Sequence, residues 1–424
     1  MGSSPLLKPR APRPTTRFSG WRIVAFAAIA LGMTGPGQTV GISVFVDPMI
    51  DALSLSRSEV STAYLIGTLA GATVLPRLGR LIDDRGARLA MAIVGGLFGV
   101  MLAAMSGVVG MISLVFGFMG IRMMGQGALS LVATTAVAPW FVRRRGFAIG
   151  VTTAVGSALL SLVPVLTRGV IIPAVGWRGA WMVLGAAVWL IVVPIALRGM
   201  IDRPSQVGQQ PDGDAPLEAE AAAVSFTRGE AMRTPMFWAV AGAVAATGMI
   251  GTGLAFHQID LLGEQGLTPV QAAANFIPQT VAALTATLFV GSMVDWFSSR
   301  WVLAVSMGLL VVAMVMVPFV SPGLVAVLYG MILGAAGSAA RALEAASFPK
   351  LFGLHHLGAI RGAVTSISVG STAFGPLALS LGYDLTGSYV QVLLVLLAFP
   401  VGVTLLGLFA RIPTRPAVSG GSAS

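Results

Sequence analysis

A handful of polar side chains stands inside otherwise apolar stretches of this chain, and their types suggest what they could bind. Gln38, Gln126, Asn275 and Gln279 each offer both a donor and an acceptor, which suits a polar organic solute. Arg122 carries a planar fork of donors that matches a carboxylate. His257 titrates near neutral pH. Together these residues form the expected binding set. Arg341 and Glu344 lie three residues apart, hence on one helix face. With His257 they are the candidates for proton coupling, Glu344 as carrier and Arg341 as its modulator. Blander readings stand beside these: a self-neutralising Arg341–Glu344 pair, a hydrogen-bonded structural His257, and an Arg122 bonded to neighbouring carbonyls or to a Gln. An ionisable group in mid-membrane costs roughly 2.5–3.5 kcal/mol, so each one asks for a reason. A third set has gating chemistry: Gly79, Asp83, Arg85 and Gly86 in GRLIDDRGARL, Arg143, Arg144 and Arg145 in WFVRRRGFAIG, and Asp295. There glycine permits close approach, a carboxylate can cap a helix end, and opposite charges can form a latch.

The composition excludes other chemistries. The 424 residues contain no Cys and three His, so neither a disulfide framework nor a thiolate metal site is available. No nucleophile–base pair and no P-loop is visible, so neither an enzyme, a cofactor nor ATP-driven pumping is expected.

These residues must be positioned by membrane helices. The chain is 56% hydrophobic and only 10% charged, against about 25% charged in soluble domains. Its mean hydropathy is +0.87. Twelve apolar stretches near the roughly 20 residues of a crossing start near Trp21, Ser61, Arg88, Met111, Phe147 and Trp177, then near Pro235, Pro269, Trp301, Gly323, Ala359 and Ser388. The expected fold class is an all-α polytopic membrane protein with two six-helix bundles, at 21–200 and 232–411. A polar, acidic linker (201–231) joins them, and tails flank them at 1–20 and 412–424. The first tail is basic and proline-rich without an apolar core, so it is read as a disordered segment rather than a signal peptide.

Charge sorting gives the orientation. With the N-terminus in the cytoplasm, all but five of the 26 Lys and Arg residues fall in cytoplasmic segments. The exceptions are Arg57, Arg168 and Arg178 on the outer side, and Arg122 and Arg341 within the membrane. Such a bias places both termini in the cytoplasm of a plasma (inner) membrane. The net charge of +10 therefore reflects the bilayer, not nucleic acid. The bias to Arg over Lys, with abundant Ala and Gly, suits a GC-rich bacterial gene.

The halves repeat at an offset of 212 residues. Gly79–Asp83 falls on Gly291–Asp295, Leu55–Glu59 on Leu267–Gln271, and Gly146 and Gly150 on Gly358 and Gly362. Ser56…Glu59 and Thr268…Gln271 predict capping boxes. GMTGPGQT, at Gln38, and GMIGTGLAFHQID, at His257, predict interrupted helices in matching spans, the usual marker of a midplane site between parallel repeats. The Met-rich runs (Met119, Met123, Met124; Met314, Met316) read as packing or lipid-facing residues.

GRLIDDRGARL and IRMMGQG (121–127) resemble the signatures of the major facilitator superfamily. WFVRRRGFAIGVTTAVG (140–156), SGWRIV (19–24) and GYDLTGSY (382–389) resemble its monocarboxylate transporter branch, which includes bacterial oxalate/formate exchangers. The resemblance implies a secondary transporter that moves a small organic solute, a monocarboxylate among the candidates, by alternating access with protons or a counter-substrate. It also implies a basic residue in the eighth span that pairs with the substrate, and in some members one in the eleventh. PVQAAANFIPQTVAALTATLFVG and AVTSISVGSTAFGPLALSLG contain neither Lys nor Arg, so the scaffold carries over and that anion-binding residue does not; whether Arg122 takes its place is left open. The alternatives are a multidrug or metabolite exporter, whose usual Gly-Pro motif the fifth span lacks, and a non-transporting sensor or scaffold, for which no soluble domain is visible. The expected partners are the solute, the lipid bilayer, and protons or a counter-substrate, with the chain a monomer.

Overall fold

The computed structural model describes residues 18–73, 75–212, 226–353 and 357–413, without the side chains of 75–84, 145–146, 288, 290–296, 346, 349 and 357–359. Among the described residues all regular structure is helical. Eight helices are long and apolar enough to cross a membrane, or nine if the bent pair Gly20–Gly37 and Thr39–Leu53 is one crossing. The longest, Phe147–Gly199, leaves helical geometry at Gly176 (φ 70°), which divides it into two crossings. Arg57–Ala72 together with the first part of Leu75–Met105, and Pro269–Ala274 with Phe276–Trp296, supply two more. Counted this way, the described residues make twelve crossings. In chain order they are α1 (20–53), α2 (57–84), α3 (Arg85–Met105), α4 (Met111–Trp140), α5 (147–176), α6 (177–199), α7 (Pro235–Phe256), α8 (269–296), α9 (Ser299–Phe319), α10 (Leu324–Phe352), α11 (Ile360–Thr386) and α12 (Tyr389–Phe409). Helices are the expected solution, because a lipid-exposed backbone must satisfy its own hydrogen bonds.

The packing repeats as the sequence does. In the first half α1 packs on α5, α2 on α4, and α3 on α6. In the second half α7 packs on α11, α8 on α10, and α9 on α12. Two bundles of one design therefore stand side by side, meeting where α2 packs on α11 and α5 on α8. Burial ranks the helices by depth: 72% of the apolar window of α7 is inside the protein, against 28% for α12. The exposed face is apolar, with Leu190, Val395 and Phe409 more than three-quarters or close to three-quarters bare, as a lipid-facing surface requires.

With twelve crossings, the described chain begins at Phe18 and ends at Pro413 on one face, the terminus side; the opposite face is the far side. Both expected capping boxes are present on the far side. Glu59 N–H donates to Ser56 Oγ at 3.1 Å and Ser56 N–H to Glu59 at 2.7 Å. Gln271 N–H donates to Thr268 Oγ1 at 3.3 Å and Thr268 N–H to Gln271 at 2.9 Å. On the terminus side the chain after α6 does the capping. Asp202 accepts from Arg88 N–H at 2.7 Å, and its carboxyl group lies where a Cβ at Gly86 (φ 83°) would sit. Asp212 accepts from the backbone N–H groups of Val142, Arg143 and Arg144. Arg143 and Arg144 are therefore held through their backbone by Asp212. Arg85 is exposed, Gly79 falls within the helix Leu75–Met105, and the side chains of Asp83, Arg145 and Asp295 lie outside those described.

The two interrupted helices differ from expectation in one place. α1 breaks as GMTGPGQT implies: it stops at Gly32, makes a tight turn at Gly35–Gly37, and restarts at Thr39 with a 49° bend. α7 does not break at its glycines. Pro235–Phe256 runs straight through them and ends at His257, before a short helix Gln258–Glu264. These glycines serve close packing instead: a Cβ at Gly253 would lie 2.8 Å from the Gly375 carbonyl of α11, and one at Gly375 would overlap the Met249 carbonyl of α7. Gly375→Ala is expected to push α7 and α11 apart and cost about 1–3 kcal/mol. Thermal unfolding of the purified variant in detergent checks this, and an unchanged Tm would contradict it.

Candidate functional site

A cavity of about 400 Å³ lies between the halves, lined by both. α1 contributes Gln38 and Thr39, and α4 contributes Gln126. From the second half come Thr247 and Thr252 of α7, Gln279 and Thr280 of α8, Arg341 of α10, and Ser368 and Thr372 of α11. Hydroxyl and amide groups dominate the polar lining, and Arg341 is its one charged member among the described residues. Such a surface can hydrogen-bond a small polar solute and has no arrangement for covalent chemistry. Among the described residues no group of three or more acidic or His side chains is set to hold a metal ion.

The expected binding residues separate into those that reach the cavity and those behind it. Gln38, Gln126 and Gln279 line it, and Gln126 Oε1 is buried with no protein partner. Gln279 is oriented by two bonds, donating to Gln258 Oε1 at 2.8 Å and to Asn275 Oδ1 at 3.1 Å. Asn275 is buried behind it, donating to the Ala326 carbonyl of α10 at 2.5 Å. Gln258 is buried as well and donates to the Ala272 carbonyl at 2.7 Å. Asn275 thus supports a lining residue without lining the cavity itself.

Arg122 and His257 are placed differently from expectation. Arg122 is 4% exposed and absent from the cavity wall; it borders a smaller cavity of about 300 Å³ between α2, α4 and α11. Its donors go to Thr68 Oγ1 (3.2 Å), the Gly37 carbonyl (3.4 Å) and Thr39 Oγ1 (3.3 Å), and its guanidinium lies 4.7 Å from the Tyr64 ring centre. The reason lies in α1: a helix broken at Gly35–Gly37 frees a carbonyl in mid-membrane, and a buried guanidinium satisfies it. Around Arg122, residues 122–129 wind as a wider π-helix. His257 is 1% exposed, and its Nε2 bonds the Pro376 carbonyl of α11 at 2.9 Å, tying the end of α7 to its neighbour.

The Arg341–Glu344 pair does not form. Glu344 instead accepts from Arg361 of α11 at 3.1 Å. The nearest hydrogen bond of Arg341 is a long one, 3.5 Å to Ser338 Oγ. A helix-face pattern shows which residues are neighbours on one helix and is blind to a competing cation on the next.

The far side holds residues that the site expectation omitted. Arg57, 16% exposed, pairs with Asp47 of α1 at 3.0 Å and with Asp260, beyond α7, at 3.1 Å. Tyr389 donates to Asp260 at 2.8 Å, and Tyr383 to Glu264 at 2.9 Å. Ser58 bonds Asp384, again joining the halves. Burial raises the Glu264 carboxyl, while the Tyr383 hydroxyl pulls the other way. Just inward of this network the Tyr64 and Phe256 rings, both fully buried, meet edge to face across the halves at 4.7 Å. Tyr64 bonds Thr39, and Phe256 follows Ala255, so this contact closes the cavity on the far side. The sequence signal that existed was the placement of Arg57, one of three outer arginines, inside a capping box.

With this geometry in view, the comparisons with known proteins decide the family. The profile of the Major Facilitator Superfamily matches residues 23–349. The chain belongs to the Major Facilitator Superfamily. This is a membrane transporter family, so the protein is a multi-pass membrane protein and not an enzyme. A curated relative, the oxalate:formate antiporter of Oxalobacter formigenes, is 25% identical over 219 residues, 51% of this chain and 50% of that protein. The chain thus spans about half the length of the curated relative it matches. Two solved structures share the fold, both of a bacterial homolog of the human lysosomal transporter Spinster in inward-facing form. The unoccupied one has a TM-score of 0.68 at 16% identity, covering 93% of this chain and 97% of that one. The occupied one has a TM-score of 0.69 at 15% identity, covering 92% and 97%.

If Arg122 braces the break in α1, its shape matters as much as its charge. Arg122→Lys keeps the charge but cannot reach three oxygens on two helices. It is expected to lower stability by about 1–3 kcal/mol, read as a lower Tm in detergent; a wild-type Tm would contradict the bracing role.

Proposed function

We propose that the protein is a secondary active transporter that moves a small polar organic solute by alternating access, coupled to protons or to a counter-solute. The observation that carries this reading is the pairing of a polar cavity between two bundles with ties that close it on one side. Arg57–Asp260 and Ser58–Asp384 join residues of opposite halves. Opening the cavity to the far side requires those bonds to break, so the ties and the cavity belong to one mechanism. A solute shifts the balance of the two states only through its different affinity for them. The 400 Å³ volume fits a small molecule, and the Gln and Thr lining supplies donors and acceptors. Small carboxylates stand first among the candidates, supported by the oxalate:formate antiporter relative and by a cavity wall with a cation and no carboxylate among its described residues.

The moving units in this proposal are the bundles at 21–200 and 232–411, joined by the linker 201–231. In this proposal the terminus side, which carries the basic loops, faces the cytoplasm, the membrane is a bacterial inner membrane, and the protein works as a monomer.

The natural chain has no cysteine, which makes a clean test possible. In Ser58→Cys/Asp384→Cys, a short bifunctional thiol reagent should bridge the halves on the far side. Counterflow in proteoliposomes, with a panel of labelled carboxylates, amino acids and sugars, is expected to show flux that bridging abolishes and a reductant restores when the bridge is a disulfide-forming reagent. Flux that continues unchanged through complete bridging would contradict alternating access.

A further inference from the structure

Arg341 has a position that none of the site's other charges shares. It is an exposed residue, yet it lies deep in the fold, so its exposed surface is cavity surface. Among the described residues no carboxylate pairs with it. Its one hydrogen bond among the described residues, to Ser338 Oγ at 3.5 Å, is at the limit of bonding distance. The carboxylate best placed to neutralise it, Glu344 one turn along the same face, is engaged by Arg361 at 3.1 Å from α11. Arg122, by contrast, is absent from the wall of this cavity and is tied through Nε and Nη1 to Thr68, Gly37 and Thr39. A guanidinium left open toward a cavity is a binding group for a planar anion, because its fork can grip two oxygens at once.

We propose that Arg341 holds the anionic group of the solute, and that the Arg361–Glu344 ion pair keeps Arg341 open to receive it. This inference rests on the transport reading of the same cavity. Two arginines compete for one carboxylate. While Arg361 holds Glu344, the positive charge of Arg341 faces the cavity. If Arg361 is lost, Glu344 turns to Arg341, three residues away on its own helix, and the site is self-neutralised. Arg361 is then a positioning residue, acting through Glu344, and Arg341 is the residue that touches the solute. Glu344 is 13% exposed and Arg361 47%, so the carboxylate is held inside while its partner reaches toward open space. The pair is therefore suited to be opened and closed rather than fixed.

The test uses the full chain and needs neither a known solute nor transport, so its failure and the failure of the transport reading are separable. Ser368→Cys places a sole thiol in the cavity wall of a protein without native cysteine. Its labelling rates with an anionic sulfonatoethyl and a cationic trimethylammonioethyl methanethiosulfonate give a ratio that reports the local charge. Adding Arg341→Gln should lower the anion-to-cation ratio about tenfold, as expected for loss of a unit charge at close range in a partly shielded site. Arg341→Lys should retain the ratio, which separates charge from folding. Arg361→Gln should lower the ratio nearly as far as Arg341→Gln, and Arg361→Gln/Glu344→Gln should restore it, a rescue that a merely structural Arg361 would not give. An unchanged ratio in a folded Arg341→Gln, or the same fall in Arg341→Lys, would overturn Arg341 as the anion site. An unchanged ratio in Arg361→Gln, or no rescue in the double variant, would overturn the role of the pair.

Discussion

Arg57 stands between two carboxylates that belong to opposite halves of the chain. Asp47 comes from the end of α1 and Asp260 from just beyond α7, each about 3 Å from the same guanidinium nitrogen. Largely buried ion pairs of this kind add little net stability, because desolvation offsets attraction. Their effect is on specificity: they favour the one arrangement of neighbours that satisfies them. Here that arrangement is the state in which the halves touch on the far side. The rings of Tyr64 and Phe256 then meet beneath the tie, and the polar cavity lies behind them. The tie consists of a few directional contacts, and a solute moves the balance between states by the difference in its affinity for them.

The second constraint is the membrane's demand that every backbone group find a partner. α1 is broken at Gly35–Gly37 beside the cavity, which brings Gln38 and Thr39 to the cavity wall but frees backbone oxygen atoms in mid-membrane. Arg122 answers that demand from α4, and Tyr64 covers the guanidinium. The same logic places His257 at the end of α7 against the Pro376 carbonyl, and Asn275 against the carbonyl of Ala326. Polar residues that a sequence reading would set around the substrate thus divide into two shells: one faces the cavity, and one holds the helices that present it.

Much of the fold could be read from local pattern. The apolar stretches, the 212-residue repeat, the two capping boxes and the break at GMTGPGQT all depend on residues close together in sequence, where spacing and chemistry fix the outcome. The site was legible only in part. Gln38, Gln126 and Gln279 reach the cavity because their helices are the inward ones, which the repeat and the interrupted span suggested. The pairing of Glu344 with Arg361 instead of Arg341 was not legible, because a cation on a neighbouring helix competes with the one on the same face. Nor was the tie of Arg57 to Asp260, whose partners are far apart in sequence and meet only when two bundles close. The straight course of α7 through its glycines has the same origin: Gly253 and Gly375 are there for the approach of α11, which no single helix reveals.

The central claim is that a few ionic ties on the far side hold the halves in the state described, with a reciprocal state available when they are released. Pulsed electron–electron resonance on spin-labelled protein in nanodiscs tests it most directly. One pair would report the far side, at Val109 and Leu385, and another the terminus side, at Phe147 and Trp301, all of them exposed. With Arg57→Gln introduced to untie the far side, the first distance should lengthen while the second shortens. Distances that stay fixed in both pairs, or that lengthen together, would contradict a rocking motion governed by Arg57.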